Sequence, residues 1–253
     1  MGLNKQGLTV AGNIAKIQER LLKACERSGR NINEITLMGV SKFIPVSLIN
    51  EAFQAGVRCF GESRVKEAAE KFEVVENGNQ QRFFRLVSPE AHSAEISGAQ
   101  LHMVGSLQRN KAKQATLLFD CIQSVDRDEL ILELIKHSLL RDEPLKVLLE
   151  LHTGEQTKSG FENLDALFKA AELVIGCEKL KPAGLMTMAP YTEDTVLIRS
   201  SFKALVKAQK ELKRRFPPMD NWACLSMGMS NDFEAAIEEG STLLRIGSAI
   251  FKE

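Results

Sequence analysis

The sequence has no surplus of charge: 33 lysines and arginines face 33 aspartates and glutamates, for a formal net charge of zero. That balance argues against nucleic acid or an anionic membrane as a main partner. A Cys-x-x-Cys pair is also lacking. The five cysteines, Cys25, Cys59, Cys121, Cys177 and Cys224, are odd in number and scattered, which speaks against a disulfide framework or a zinc site and fits buried thiols in a reducing cytoplasm. No His/Cys/Asp cluster has metal-ligand spacing. No run reaches about 18 apolar residues and no apolar segment precedes a cleavage site, so neither a membrane span nor secretion is expected. Met1-Gly2 opens like an acylation signal, but Gln6 stands where serine or threonine is required.

What is present is a rhythm. The stretch Ile35-Thr36-Leu37-Met38-Gly39-Val40-Ser41-Lys42 reads as a short buried strand that ends in a lysine before Pro45. Ahead of it, residues 8–28 carry Val10, Ile14, Ile17, Leu21, Leu22 and Cys25 at helical period, closed by Gly29. After it come a helix over 46–55, a strand over 57–62 and a charged helix over 63–75. Residues 77–100 break the pattern and read as an extended connection or insertion. Strand and helix then alternate again: strands over 101–105, 121–125, 145–151, 182–188, 222–227 and 242–246, with helices near 110–118, 127–140, 163–174, 193–215 and 233–239. Eight strand–helix units in 253 residues predict a single α/β domain, 1–253: a closed (β/α)8 TIM-type barrel with an additional N-terminal helix. An open doubly wound sheet is the alternative, although no Gly-x-Gly-x-x-Gly follows the first strand.

In either architecture ligands gather at the carboxyl ends of the strands, where Lys42 sits. A desolvated lysine there can lose its proton near neutral pH and attack a carbonyl to form a Schiff base. The plainer reading is a solvated lysine at a strand end. Ser226-Met227-Gly228-Met229-Ser230-Asn231-Asp232 follows the seventh strand, and Arg245-Ile246-Gly247-Ser248-Ala249-Ile250 closes the eighth. Small residues and serines at these two places can cradle a phosphate, as loops after the last strands of such barrels often do. An ordinary cap and turn would look the same. A lysine together with an anion cradle suits an aldehyde that carries a phosphate, pyridoxal phosphate above all. Arg245 could face the pyridine nitrogen and keep it unprotonated, or pair with a carboxylate. His102, His152 and Lys158 are weaker candidates.

These residues closely resemble the pyridoxal phosphate homeostasis protein family, the relatives of the alanine racemase barrel. The motifs that carry the resemblance are Val40-Ser41-Lys42, Phe60-Gly61-Glu62, His102 through Gly105 with Leu107-Gln108 and Asn110-Lys111, Lys158-Ser159-Gly160, Gly184-Leu185-Met186, Ser226 through Ser230 with Asp232, and Arg245-Ile246-Gly247 with Ala249-Ile250-Phe251. The resemblance implies that Lys42 forms the Schiff base, that Ser230 with backbone near Met229, Gly247 and Ser248 holds the phosphate, and that Arg245 faces the pyridine nitrogen. This chain departs from the family pattern at Ser63, usually asparagine, at Leu101, usually tryptophan, and at Ser248, usually threonine.

The expected function is a cytoplasmic, monomeric carrier of pyridoxal phosphate that buffers it or delivers it to apo-enzymes, without robust catalysis. The related racemases draw a catalytic tyrosine from a further domain, whereas this chain ends at Glu253 and has one tyrosine, Tyr191. Proton transfer at an amino-acid α-carbon needs two opposed acid/base groups, and Lys42 alone is evident. The competing readings are a pyridoxal-phosphate-dependent amino-acid racemase with Tyr191 as second base, and a cofactor-free aldolase in which Lys42 attacks a sugar phosphate.

Overall fold

Thr9 starts the first helix, its hydroxyl accepting a hydrogen bond from the Gly12 amide at 3.1 Å, and Gly29 ends it in the left-handed conformation, φ 66°. This helix, α1 (Val10–Ser28), buries Val10, Ile14, Ile17, Leu21 and Cys25 of the stripe its sequence period specifies, while Leu22, read with them, is exposed. The structure, a computed structural model, describes residues 9–76, 82–87, 94–154 and 159–252. The possible acylation signal, Lys158 and parts of 77–100 lie outside them.

Strand and helix then alternate. β1 (Thr36–Val40) leads to α2 (Val46–Gln54), and β2 (Cys59–Glu62) to α3 (Val65–Lys71). Three strands follow, β3 (Phe72–Glu76), β4 (Arg82–Leu86) and β5 (Ala94–Ile96). The alternation resumes with β6 (Gln100–Met103) and α4 (Ala112–Leu118), β7 (Cys121–Val125) and α5 (Asp128–Ser138), and β8 (Leu145–Glu150) and α6 (Leu164–Ile175). It ends with β9 (Leu180–Met186) and α7 (Thr195–Arg215), β10 (Cys224–Ser226) and α8 (Phe233–Glu238), and β11 (Leu243–Ile246) and α9 (Ser248–Phe251). Eight strands close into a parallel barrel in the order β1-β11-β10-β9-β8-β7-β6-β2, the architecture expected from the sequence. The open-sheet alternative is excluded by that closure.

Each strand divides its side chains between two layers. On β8, Leu145, Val147 and Leu149 join the large core between barrel and helices, while Leu148 packs inside the barrel with Cys121 and Met186. Glu150 shares the inward face of Leu148. α1 adds to the outer layer: the Asn13 side-chain amide donates to the Ile250 carbonyl at 3.0 Å, and Arg20 and Arg27 pair with Glu234 and Glu238.

Two sequence readings are corrected. The helix expected over 63–75 stops at Lys71, and residues 72–76 form β3, which pairs antiparallel with β4. Phe72 and the Val74-Val75 pair find partners across the strands there, and those contacts override helical propensity. The stretch read as a bare connection contains β4 and β5, so a three-stranded sheet stands outside the barrel. Phe72 joins it to β2, with ring centroids 6.4 Å from Phe60 and 6.2 Å from Phe84. Trp222, expected to open the seventh barrel strand, instead ends a short 3-10 turn (Met219–Trp222), and its indole N–H donates to the Phe216 carbonyl at 3.2 Å.

The β9–β10 contact requires a glycine. At Gly184, φ 153°, an added Cβ would lie 1.9 Å from the Cys224 carbonyl oxygen. Gly184→Ala should therefore cost on the order of 3 kcal/mol of stability, measured by urea unfolding. A loss below about 1 kcal/mol would contradict this packing, because surface substitutions commonly cost less than that.

Candidate functional site

Lys42 follows β1 directly, at the carboxyl end of the barrel, and the turn that carries it is held from below. Glu62, at the end of β2, is fully buried, and its Oε1 accepts from the Ser41 hydroxyl at 2.7 Å and the Lys71 ammonium at 3.1 Å. Among the described residues its Oε2 has no partner. Lys71 also donates to the Ser41 carbonyl at 2.8 Å and to Glu67, and Glu67 accepts the Phe43 amide. Phe43 has φ 60°, a conformation a phenylalanine rarely adopts unless its surroundings impose it. Burial raises the Glu62 carboxyl. Burial works the same way on Glu67, but the Lys71 ammonium and the Phe43 amide outweigh it and hold that carboxyl below its ordinary value. Lys42 itself is exposed, so of the two readings open from the sequence the structure shows a solvent-reached amine, here on a fixed turn.

Arg245 comes from β11 and is buried. Its guanidinium donates to the Ser226 carbonyl and hydroxyl, both at 2.7 Å, and to the Thr187 carbonyl at 2.8 Å. Among the described residues no carboxylate lies within ion-pair distance of it, so the plain salt-bridge reading does not hold. Burial lowers it to about 10, and it remains cationic at neutral pH. The hydrogen bonds continue beneath it. The Ser226 hydroxyl donates to Gln123 Oε1 at 2.6 Å, the Gln123 amide meets His102 Nδ1 at 2.8 Å, and His102 Nε2 meets Gln100 Oε1 at 3.3 Å. Gln123 Nε2 can only donate, so His102 Nδ1 accepts and Nε2 carries the proton.

Lys42, Arg245, Met229, Gly247 and Ser248 line one cavity of about 450 Å³, together with Ser63, Glu150 and Ser159. Ser230 lies at its border with an adjoining pocket of about 760 Å³, and both pockets share Met229 and Ser248. The Ser230 Oγ accepts from the Ser248 hydroxyl at 3.1 Å and from the Ala249 amide at 3.4 Å. The Met229 amide donates to Asp232, so that backbone group is already engaged. Of the remaining candidates, Tyr191 is 87 % exposed and lines the adjoining pocket, not the Lys42 cavity. His102 serves inside the barrel, and His152 lies beyond β8 and does not line the cavity. Ser63 packs against Gly105, where a Cβ would meet the Ser63 carbonyl at 2.4 Å, and Leu101 is buried in the outer core.

Sequence reasoning passed over Glu150. It ends the apolar strand Leu145-Lys146-Val147-Leu148-Leu149-Glu150 just as Lys42 ends the first, and the same rule would have found it. It is buried, accepts from the Ser159 hydroxyl at 2.9 Å, and has its carboxyl raised by burial and by Asp126, against the pull of Arg245.

A family profile, alanine racemase N-terminal domain, matches residues 13–253. The pyridoxal phosphate homeostasis protein of Aquifex aeolicus is 36% identical over 245 residues, covering 95% of this chain and 96% of its own. The chain belongs to the pyridoxal phosphate homeostasis protein family. The Escherichia coli member is 35% identical over 96% of this chain and 95% of its own. Among solved structures, PipY of Synechococcus elongatus with pyridoxal phosphate bound is similar, with TM-score 0.74 and 26% identity over 96% of this chain and 100% of that one. Alanine racemase from Bacillus anthracis shares the fold, with TM-score 0.63 and 14% identity; this chain matches 54% of its length. Among the described residues no helix is long and apolar enough to cross a membrane.

Burial pushes His102 down from 6.5 to about 3, with the Lys146 charge adding to the effect. Folded protein thus refuses a proton that the unfolded chain takes up, so His102 favours folding above pH 6.5, and that contribution is lost as pH falls toward about 3. Unfolding titrations over this range should show a slope of up to about 1.4 kcal/mol per pH unit from His102, absent in His102→Gln. Equal slopes in both proteins would contradict the assignment.

Proposed function

We propose that the protein binds pyridoxal 5'-phosphate as a Schiff base on Lys42 and serves its homeostasis, holding and releasing it to apo-enzymes that use it, without robust turnover. The observation that carries this reading is one cavity with an accessible lysine on a fixed turn, a buried arginine with no carboxylate partner among the described residues, and a serine-lined border between Ser230 and Ser248. Each part fits a different part of the cofactor. The Lys42 amine suits the aldehyde, Ser230, Ser248 and the backbone at Gly247 suit the phosphate, and Arg245 suits the pyridine nitrogen. Relatives named for pyridoxal phosphate homeostasis and the loaded PipY structure support the same reading.

The bound cofactor supplies an aldehyde that condenses with a primary amine, and a ring able to withdraw electrons. The protein's own groups limit the second property. An arginine that stays cationic disfavours a proton on the neighbouring pyridine nitrogen and weakens the ring as an electron sink. Tyr191, the second base required by the racemase reading, opens on the adjoining pocket. Those two observations favour the carrier over the racemase. The proposal includes a cytoplasmic location, which the scattered cysteines suit, and a monomer, since the balanced charge marks out no interface.

The test is spectroscopic and covalent. Purified protein incubated with pyridoxal phosphate should absorb in the visible, and borohydride reduction followed by peptide mapping should place a pyridoxyl group on Lys42, with Lys42→Ala unlabelled. Substantial racemase turnover would overturn the carrier reading, and absence of any adduct on Lys42 would overturn the site itself.

A further inference from the structure

Glu150 and Lys42 stand on opposite sides of the barrel mouth. In the closed order of strands β8 lies four places from β1 in either direction, and both residues line the same cavity. We propose that Glu150 is the general base and acid through which a small primary amine displaces Lys42 from the bound cofactor, so that release is driven by amines such as free amino acids. The inference rests on the reading of Lys42 given above and adds to it a route by which the cargo leaves.

The chemistry needs such a group. A primary amine is an ammonium ion at neutral pH and cannot attack until it gives up a proton. Glu150 accepts that proton. The amine nitrogen then forms a bond to the carbon that Lys42 holds, the bond from that carbon to the Lys42 nitrogen breaks, and the Glu150 carboxyl hands to Lys42 each proton that the incoming nitrogen loses. Nothing is oxidised or reduced, and Glu150 ends as it began. A carboxyl on the far wall can do this because the amine enters between it and the lysine.

The surroundings of Glu150 fit a group that changes protonation state. Ser159 donates to its Oε1 at 2.9 Å. Among the described residues no lysine or arginine lies within ion-pair distance of it. Asp126, at the end of the neighbouring β7 and itself paired with Arg127, disfavours its charge, and Arg245 on β11 favours it. Met188 beyond β9 and Lys42 beyond β1 share the cavity. Burial raises the carboxyl, which makes it a stronger base than a solvated glutamate. By contrast Glu62, equally buried, already receives Ser41 and Lys71 and is absent from the cavity wall.

The experiment uses full-length protein loaded with pyridoxal phosphate and follows loss of the visible band after mixing with L-alanine, ethylamine or methoxyamine. Methoxyamine is uncharged at neutral pH and needs no deprotonation before it attacks, although its protons must still pass to Lys42. Glu150→Gln should react about 100-fold more slowly with L-alanine and ethylamine, the scale of general-base catalysis, and should be slowed much less with methoxyamine, which is spared the first deprotonation. In the unmodified protein the rate with alkyl amines should show a break in its pH profile at the raised Glu150 value, and in the variant that break should be gone, the rate following only the fraction of free amine. Should Glu150→Gln not fold, Glu150→Asp keeps a titrating carboxyl at another position, and its pH midpoint and alanine rate should both shift. Equal slowing of all three amines, or rates within about threefold of the unmodified protein, would overturn the role of Glu150; failure of the unmodified protein to form the Lys42 adduct would overturn instead the reading on which it rests.

Discussion

The site depends on a fully buried carboxylate. Glu62 sits at the end of β2 beneath the Lys42 turn and ties together Ser41, Lys71 and, through Lys71, Glu67. Removing one partner from a buried ion pair typically costs about 3–5 kcal/mol, because the other charge is left without compensation. Such a network is thus a rigid clamp. It grips the turn at both the Ser41 carbonyl and the Phe43 amide, the two backbone groups that flank Lys42. The unusual φ of Phe43 is the visible sign of that grip. A lysine with a long flexible stem is thereby launched from a fixed backbone, while its amine stays open to solvent.

A second arrangement fixes the other pole. Arg245 rests on neutral oxygens, and the chain from Ser226 through Gln123 to His102 and Gln100 holds one of them, the Ser226 hydroxyl, with every donor pointing the same way. Hydrogen bonds to neutral acceptors orient the guanidinium without cancelling its charge. The cationic edge can therefore act on whatever occupies the cavity. Neutral His102 serves this purpose better than a charged one, since a second cation under Arg245 would be repelled.

Much of this was legible in sequence, for identifiable reasons. The barrel followed from eight apolar strands alternating with helices, and Lys42, Gly247 and Ser248 were found because their positions after β1 and β11 are set by topology alone. Other features depend on distant contacts. β3 reads as helix until Arg82–Leu86 is seen beside it. The exposure of Lys42 depends on where neighbouring loops lie, and the placement of Tyr191 on a separate pocket depends on the path taken after β9. Glu67 and Lys71, four residues apart, look like an ordinary helix surface pair. Their role appears only once β1 and β2 are aligned and Glu62 is seen between them.

The central claim is that this clamp presents Lys42 for bond formation, separately from phosphate recognition. The most direct measurement compares the affinities of Lys71→Met for pyridoxal 5'-phosphate and for pyridoxine 5'-phosphate, which lacks the aldehyde. The account predicts at least tenfold weaker binding of the aldehyde form, with the alcohol form bound within about twofold of the unmodified protein, and partial recovery in Lys71→Arg; tenfold corresponds to about 1.4 kcal/mol. Equal affinities in variant and unmodified protein, or equal losses for both compounds, would contradict it and leave the clamp a purely structural device.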